Sequence, residues 1–434
     1  MRRGDSDMND ADMNEPDVGG TALRAMLERA TADEPLIGPV VQNALVAGLK
    51  SRRRRRASGI VACAVVVAAV SVIAPALTRA HSTTSAPAVP AGTPTVYVAN
   101  RTSGVTGWVT PISTATNTAG PRINVGINYD MAVTPNGKTI YVLDLISDTV
   151  TPVSTATNTA RPPIKVARFP FAIAITPDGK ISYVLSENSQ LTRIMTATNT
   201  ASRPITINPA SYNVGATPAI TPDGKTIYVS PGLQSDYLIP VQTATDKAGK
   251  PIRLGAAPTA IVITPDGKTA YVVNSAAQGT ITPITIATNK AGPPIKVGHY
   301  PVDIAITPDG MTAYVVNSSS NTVTPIDIAT DKAGPPVKVG RVPFNIAITP
   351  DGRTAYVINN GSSTVTPINT ATDTAGPPIQ VGGNPSDIAI TPDGKTAYVV
   401  GSASGTVTPI NTATNTAGPP IKVGGYPYAI VIAP

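Results

Sequence analysis

The sequence predicts an all-β fold: a β-propeller of four-stranded blades, eight of them, closed into a ring. Three observations predict it. A strand-turn-strand unit, clearest as Ile306-Thr-Pro-Asp-Gly-Met-Thr-Ala-Tyr-Val-Val-Asn317, returns throughout most of the chain after its N-terminal quarter. The Asp of its turn, or an Asn in its place, falls at Asn136, Asp178, Asp223, Asp266, Asp309, Asp351 and Asp393, a period near 42 residues, where four-stranded blades lie. The array also begins and ends out of phase. It starts on a second-type strand, Thr95-Val-Tyr-Val98, and stops on a first-type strand, Tyr428-Ala-Ile-Val-Ile-Ala-Pro434. Pairing these termini completes an eighth blade and removes the exposed sheet edge. A ring of seven, which leaves one unit unpaired, is the alternative.

Within a unit each element has a local cause. Thr307 to Gly310 is a turn because Pro presets φ, Asp bonds nearby backbone and Gly takes the left-handed position without a Cβ penalty. Around Asp309 the β-branched and aromatic runs place strands at 303–307, 312–316, 322–329 and 337–339. The recurring Pro and Gly exclude a solenoid of helices. With aromatics at 4% and charged residues at 14%, the core is expected to be aliphatic.

The N-terminal quarter reads differently. Residues 1–20, with Asp5, Asp7, Asp10, Asp12, Glu15 and Asp17, have the composition of a solvated tail. In 21–58, Leu23, Met26, Leu27 and Ala30, then Val41, Ala44, Leu45 and Leu49, recur at helical spacing before the run Arg52 to Arg56. These two short helices are either a juxtamembrane stub or a cytosolic docking element. The stretch beginning at Gly59 and ending at Leu77 carries no charge and approaches the ~20 residues that span a bilayer. A transmembrane helix is expected over 59–78, an uncleaved signal anchor with 1–58 cytoplasmic and the rest extracytoplasmic by the positive-inside rule. The alternative is secretion after cleavage near Ala74-Pro75-Ala76. Residues 79–94, rich in Ser, Thr and Pro, form a spacer, and 95–434 the propeller. The one cysteine, Cys63, excludes disulfides within the chain and Cys-based metal sites. Of the formal +7 charge, Arg52 to Arg56 supply five, and no basic strip interleaved with aromatics follows, so nucleic acid is not expected as a partner.

Tyr97-Val-Ala-Asn, Tyr271-Val-Val-Asn and Tyr314-Val-Val-Asn, set among Thr-Pro-Asp-Gly-Lys turns, resemble the YVTN β-propeller repeats of surface-layer and other cell-envelope proteins. The resemblance covers about 95–434. It implies the propeller fold and a surface role, while related propellers include enzymes, so it does not by itself assign an activity.

On a propeller, first-to-second and third-to-fourth loops share one face, and second-to-third loops and blade crossovers share the other. The former are nearly identical between copies, as Thr-Pro-Asp-Gly-Lys and Ala-Thr-Asn-Thr-Ala-Gly-Pro-Pro; the latter differ in every copy. Varied loops suit recognition. The crossovers hold Phe169, Phe171, Phe344, Tyr129, Tyr300, Tyr426, Tyr428 and His299, and alignment of copies brings Asp130, Asp303, Asn345 and Asp387 to one position. Two readings follow. Asp130, Asp303, Asn345 and Asp387, with Tyr129, Phe171, Phe344, Tyr428 and His299, form a ligand-binding rim at the channel mouth, or the rings cap blade junctions and the acids bond backbone N–H groups. With His81 and His299 the only histidines and no nucleophile motif beside either, catalysis is not expected, and neither is a cofactor or resident metal. The expected function is an envelope-anchored binding, adhesion or protein-interaction scaffold whose partner is a cell-envelope glycan, peptide or protein. The alternatives are a lactonase-type metal-dependent hydrolase using Asp130, Asp303, Asn345 and Asp387 as ligands, and a transmembrane sensor.

Overall fold

The computed structural model describes residues 94–434 apart from 103–105, 127, 208–215 and 232–234, and only the backbone of Asn128 and Tyr129. The acidic tail, the two N-terminal helices, the 59–78 span and all but the last residue of the spacer lie outside the described residues. Among the described residues the strands form eight antiparallel sheets. Their innermost strands touch in one closed cycle. In order these are Tyr426–Ala433, Asn128–Val133, Pro170–Ile175, Ala219–Ile220, Pro258–Ile263, Pro301–Ile306, Pro343–Ile348 and Pro385–Ile390, the inner strands of blades 1 to 8. The ring therefore has eight blades rather than seven. Blade 1 joins the two ends of the array: Tyr426–Ala433 pairs with Thr95–Arg101 from Thr95↔Ala433 to Arg101↔Tyr426.

Blade 6 shows the common plan. Pro301–Ile306, Thr312–Asn317 and Thr322–Asp327 pair in sequence order, and the outer strand comes in two pieces, Lys332–Ala333 and Val337–Lys338, both on Thr322–Asp327. The sequence reading anticipated only the second piece and ran the third strand two residues too far. Proline explains the break. The carbonyl of Pro325 accepts the Gly334 N–H at 2.8 Å on the outer side. A strand residue's N–H and C=O point the same way, so the donor that Pro325 lacks also belongs to that side. Pro335 and Pro336, opposite, have none to offer either. The third strand ends at Asp327 because its carboxylate bonds the backbone N–H and hydroxyl of Thr330, turning the chain.

Adjacent sheets meet through aliphatic layers. Between blades 6 and 7, Val316, Val323 and Val337 pack with Ile346, Ile348, Ala355, Val357 and Ile368. Through this layer runs Tyr314, fully buried, its hydroxyl crossing to the neighbouring blade. That crossing is general. Tyr97, Tyr141, Tyr183, Tyr228, Tyr271, Tyr314, Tyr356 and Tyr398, one per second strand, donate to the side-chain oxygens of Asn158, Asn199, Asp246, Asn289, Asp331, Asp373, Asn415 and Asn117 respectively. The distances are 2.6–2.9 Å, and each acceptor sits in the third-to-fourth turn of the next blade. Tyr398 to Asn117 carries the circuit across the seam between blades 8 and 1.

Every acceptor has a positive φ, from 53° to 55°. Asn and Asp are the side chains that tolerate this region best while offering an acceptor oxygen, which is why no other residue appears there. Burial raises the phenol pKa throughout, to about 12 at Tyr97, Tyr228 and Tyr398. At Tyr314 burial and then the Asp373 carboxylate push it higher still. These hydroxyls remain protonated donors across the working pH range. A second set of contacts lies beside this ring from blade 1 to blade 8, since each turn glycine packs against a proline of the preceding blade. At Gly310 (φ 72°) a Cβ would stand 3.4 Å from Pro265, and at Gly137 (φ 69°) 3.0 Å from the C-terminal Pro434.

Tyr314→Phe should lower stability by about 1.5–3 kcal/mol, because it strips a buried phenol from a carboxylate. Met311→Lys, at a side chain 68% exposed on a neighbouring turn, should stay within about 0.5 kcal/mol. Chemical denaturation of both variants checks the pair.

Candidate functional site

Hydrogen bonds sort the loops onto two faces as expected. On one, the third-to-fourth loop is tied to the first-to-second turn of its own blade, as in the bond from Thr412 Oγ1 to the Gly394 carbonyl at 2.6 Å. On the other, crossovers interlace with second-to-third loops, as when Phe169 N–H donates to Asp148 Oδ1 at 2.9 Å.

The first face repeats one network. In the turn at Asp178, Thr176 donates its hydroxyl to the carboxylate at 2.6 Å and the Lys180 N–H does so at 3.0 Å. The threonine bond, chiefly, holds this acid below the usual carboxylate range. The adjoining Lys180–Asp178 pair at 3.3 Å is exposed and contributes little. The same network recurs at Asp223, Asp266, Asp351 and Asp393. Such uniformity serves the frame.

On the second face the inner strands begin with a β-bulge, visible as a register shift between Pro170 and Ala172, Pro301 and Asp303, Pro343 and Asn345, and Pro385 and Asp387. Phe171 and Phe344 are the extra residues in two of them, and Tyr428 is skipped in the same way where Tyr426–Ala433 meets Thr95–Arg101. Bulges re-aim side chains. Here Phe171 is 2% and Tyr428 4% exposed, and Tyr428 packs with Tyr97 and Met131 in the layer between blades 1 and 2. Phe344 is half-buried. The side chain of Tyr129 lies outside the described set.

The acids follow the bulge, and they turn sideways. Asp303 accepts the Ile304 N–H at 2.9 Å and, from the next blade, the Ile346 N–H at 3.1 Å. Asp130 takes Met131 and Ile173, and Asp387 takes Ile388 and Ile430, in the same manner. Asn345 Nδ2 donates to Asp387 at 3.3 Å. All four are buried, and each joins the inner strands of two neighbouring blades. A metal taken by these groups would have to displace backbone hydrogen bonds. Among the described residues no three His, Cys, Asp or Glu are placed to hold a metal ion. His299 is exposed, with its N–H on Ser320 Oγ and its Nδ1–H on the Ala277 carbonyl.

The sequence reading missed a feature of the backbone. Phe169, Tyr300, Val342 and Asn384, each directly before the crossover proline, have φ between 48° and 51°. A bulky or β-branched residue there is strained, by roughly 1–3 kcal/mol. Each is pinned by the loops around it. Val342 donates its N–H to Asn321 of the preceding blade at 2.8 Å, and its carbonyl accepts the Asn360 N–H of its own blade at 3.0 Å. The repeated x-Pro at unlike residues is the only trace of this in the sequence.

No protein-family model matches the chain, and no curated protein matches it. Solved structures do. Dihydro-heme d1 dehydrogenase NirN, in complex with DHE, is similar with a TM-score of 0.66 at 14% identity, over 95% of this chain and 91% of that one. What is shared is the propeller fold. AztD of Citrobacter koseri gives a TM-score of 0.59 at 11% identity over 78% of this chain and 97% of its own. Hydrazine synthase of Kuenenia stuttgartiensis gives 0.54 at 22% identity over 66% and 96%.

Burial, outweighing two backbone hydrogen bonds, raises the Asp303 pKa to about 8. The folded chain then keeps a proton that the unfolded chain loses above its ordinary value near 3.8, so this group's contribution to stability falls as pH rises from about 4 to 8. Asp303→Asn, a residue already used at Asn345, should flatten that decline in melting temperatures recorded from pH 4 to pH 9.

Proposed function

We propose that this chain is an envelope-anchored, extracytoplasmic propeller that acts as a binding scaffold through the face carrying its crossovers and second-to-third loops. The observation that carries this reading is the strain at Phe169, Tyr300 and Val342: three unlike side chains held in an unfavourable conformation on the varied face, while the opposite face repeats one relaxed turn. Strain of this kind is retained where the displayed group is used. The Tyr-Val-x-Asn strands, which resemble the YVTN repeats of cell-envelope proteins, and the uncharged stretch from Gly59 to Leu77 behind Arg52 to Arg56 support an anchored, outward-facing placement. Glycan, peptide and protein partners of the envelope all suit such a face.

Two experiments test it. Replacing Phe169, Tyr300, Val342 and Asn384 together by Gly should abolish co-sedimentation of the purified chain with cell-envelope preparations while the fold persists. Replacing Lys180, Lys225, Lys268 and Lys395 by Ala should leave it unchanged. Equal losses in the two variants, or none, would contradict the assignment of faces. In fractionated cells the full chain should stay with membranes after an alkaline wash, and a chain lacking 59–77 should not.

A further inference from the structure

A groove of about 460 Å³ opens on the varied face where blades 8 and 1 meet. Ser404, Gly405, Lys422, Gly424, Gly425 and Tyr426 border it. Gly425 stands where three other crossovers carry Arg168, His299 or Arg341, and with Gly424 before it the chain takes φ 59° and 75° here. A Cβ on Gly424 would stand 2.7 Å from Arg122 Nη2, and one on Gly425 2.7 Å from the Trp108 ring. The crossover thus lies directly against a guanidinium stacked 4.1 Å over the only tryptophan of the chain. Tyr426 stands at the rim, 53% exposed.

Charge singles out the same place. Residues 396–434 and 94–129 contain no Asp or Glu, yet they hold Arg101, Arg122 and Lys422. Among the described residues none of these three cations forms an ion pair. The acids of blade 8 do not compensate them. Asp387 is buried on backbone amides, and Asp393 lies in a turn of the opposite face beside Lys395.

We propose that this groove binds an acidic saccharide, a sugar ring lying on Tyr426 with its carboxylate at Lys422 and Arg122. The inference rests on the reading of the varied face as the binding face and names the ligand class of one sector. The volume suits one or two sugar rings. Peptide recognition has less to work with: the lining offers no aliphatic side chain larger than Ala403. A carboxylate on partly exposed cations should bind more weakly as salt rises.

Titration calorimetry of the full chain with trigalacturonic acid tests this, with maltotriose and triglutamate as neutral and peptide controls. The trisaccharide acid should bind in a salt-sensitive manner and the controls should not. Lys422→Glu and Tyr426→Ala, both at exposed side chains, should each weaken binding by about tenfold or more with unchanged melting. Absence of binding, binding indifferent to both variants, or equal binding of triglutamate or maltotriose would overturn the inference. Because the four crossover residues tested for envelope binding lie outside this groove, loss of the trisaccharide result with envelope binding intact removes only the saccharide. The reverse pattern removes the scaffold reading of those crossovers.

Discussion

A phenol reaching across a blade boundary is the interaction on which the rest of this structure depends. Face-to-face packing of Val, Ile and Ala is adhesive but not directional, and aliphatic layers alone would let one sheet slide over the next. The tyrosine hydroxyl fixes the slide. It can reach its acceptor only when the third-to-fourth turn of the following blade stands at one height, and that turn is held in place by its own left-handed Asn or Asp. Repetition around the axis, including the bond from Tyr398 to Asn117 at the seam, makes the constraint circular. The bulged acids do the same nearer the axis, where Asp130, Asp303 and Asp387 bridge neighbouring inner strands.

A frame over-determined on one face can tolerate cost on the other. The relaxed Thr-Pro-Asp-Gly turns and the tyrosine bonds lie with the uniform loops, while the strained residues Phe169, Tyr300 and Val342 lie with the varied ones. Each strained residue is pinned from two blades at once, so rigidity is delivered to side chains that differ in every copy. This arrangement presents a fixed surface whose composition is free to change, down to Gly425 at the seam between blades 8 and 1 where three other crossovers carry Arg168, His299 or Arg341.

The periodicity near 42 residues made the blades legible, and the out-of-phase termini made their number and closure legible, because both follow from local strand and turn chemistry. The split outer strand was less so, although Pro325 and the Gly-Pro-Pro run stood in plain view; the side on which a proline's missing N–H falls depends on pairing, not on sequence. The Tyr to Asn or Asp bond was hidden by distance, its partners lying in different repeats, 60 residues apart for Tyr271 and Asp331 and 281 at the seam, although both never vary beyond Asn for Asp. At the channel mouth the sequence aligned Asp130, Asp303, Asn345 and Asp387 at one position, but the bulge that turns them toward the next blade is a register effect that a single strand does not display. Backbone strain at Val342 has no sequence signature beyond the proline that follows it.

The central claim is that the eight blades form one closed, mutually latched frame, with the terminal strand as an integral member. Native-state hydrogen exchange reads this directly. The amides of Tyr426–Ala433 and Thr95–Arg101 should exchange with the same opening free energy as those of Thr312–Asn317 and Thr354–Asn359, in a single cooperative unit. Exchange of the terminal pair at a distinctly lower free energy, with blades 5 to 7 still protected, would show an open ring and contradict the account.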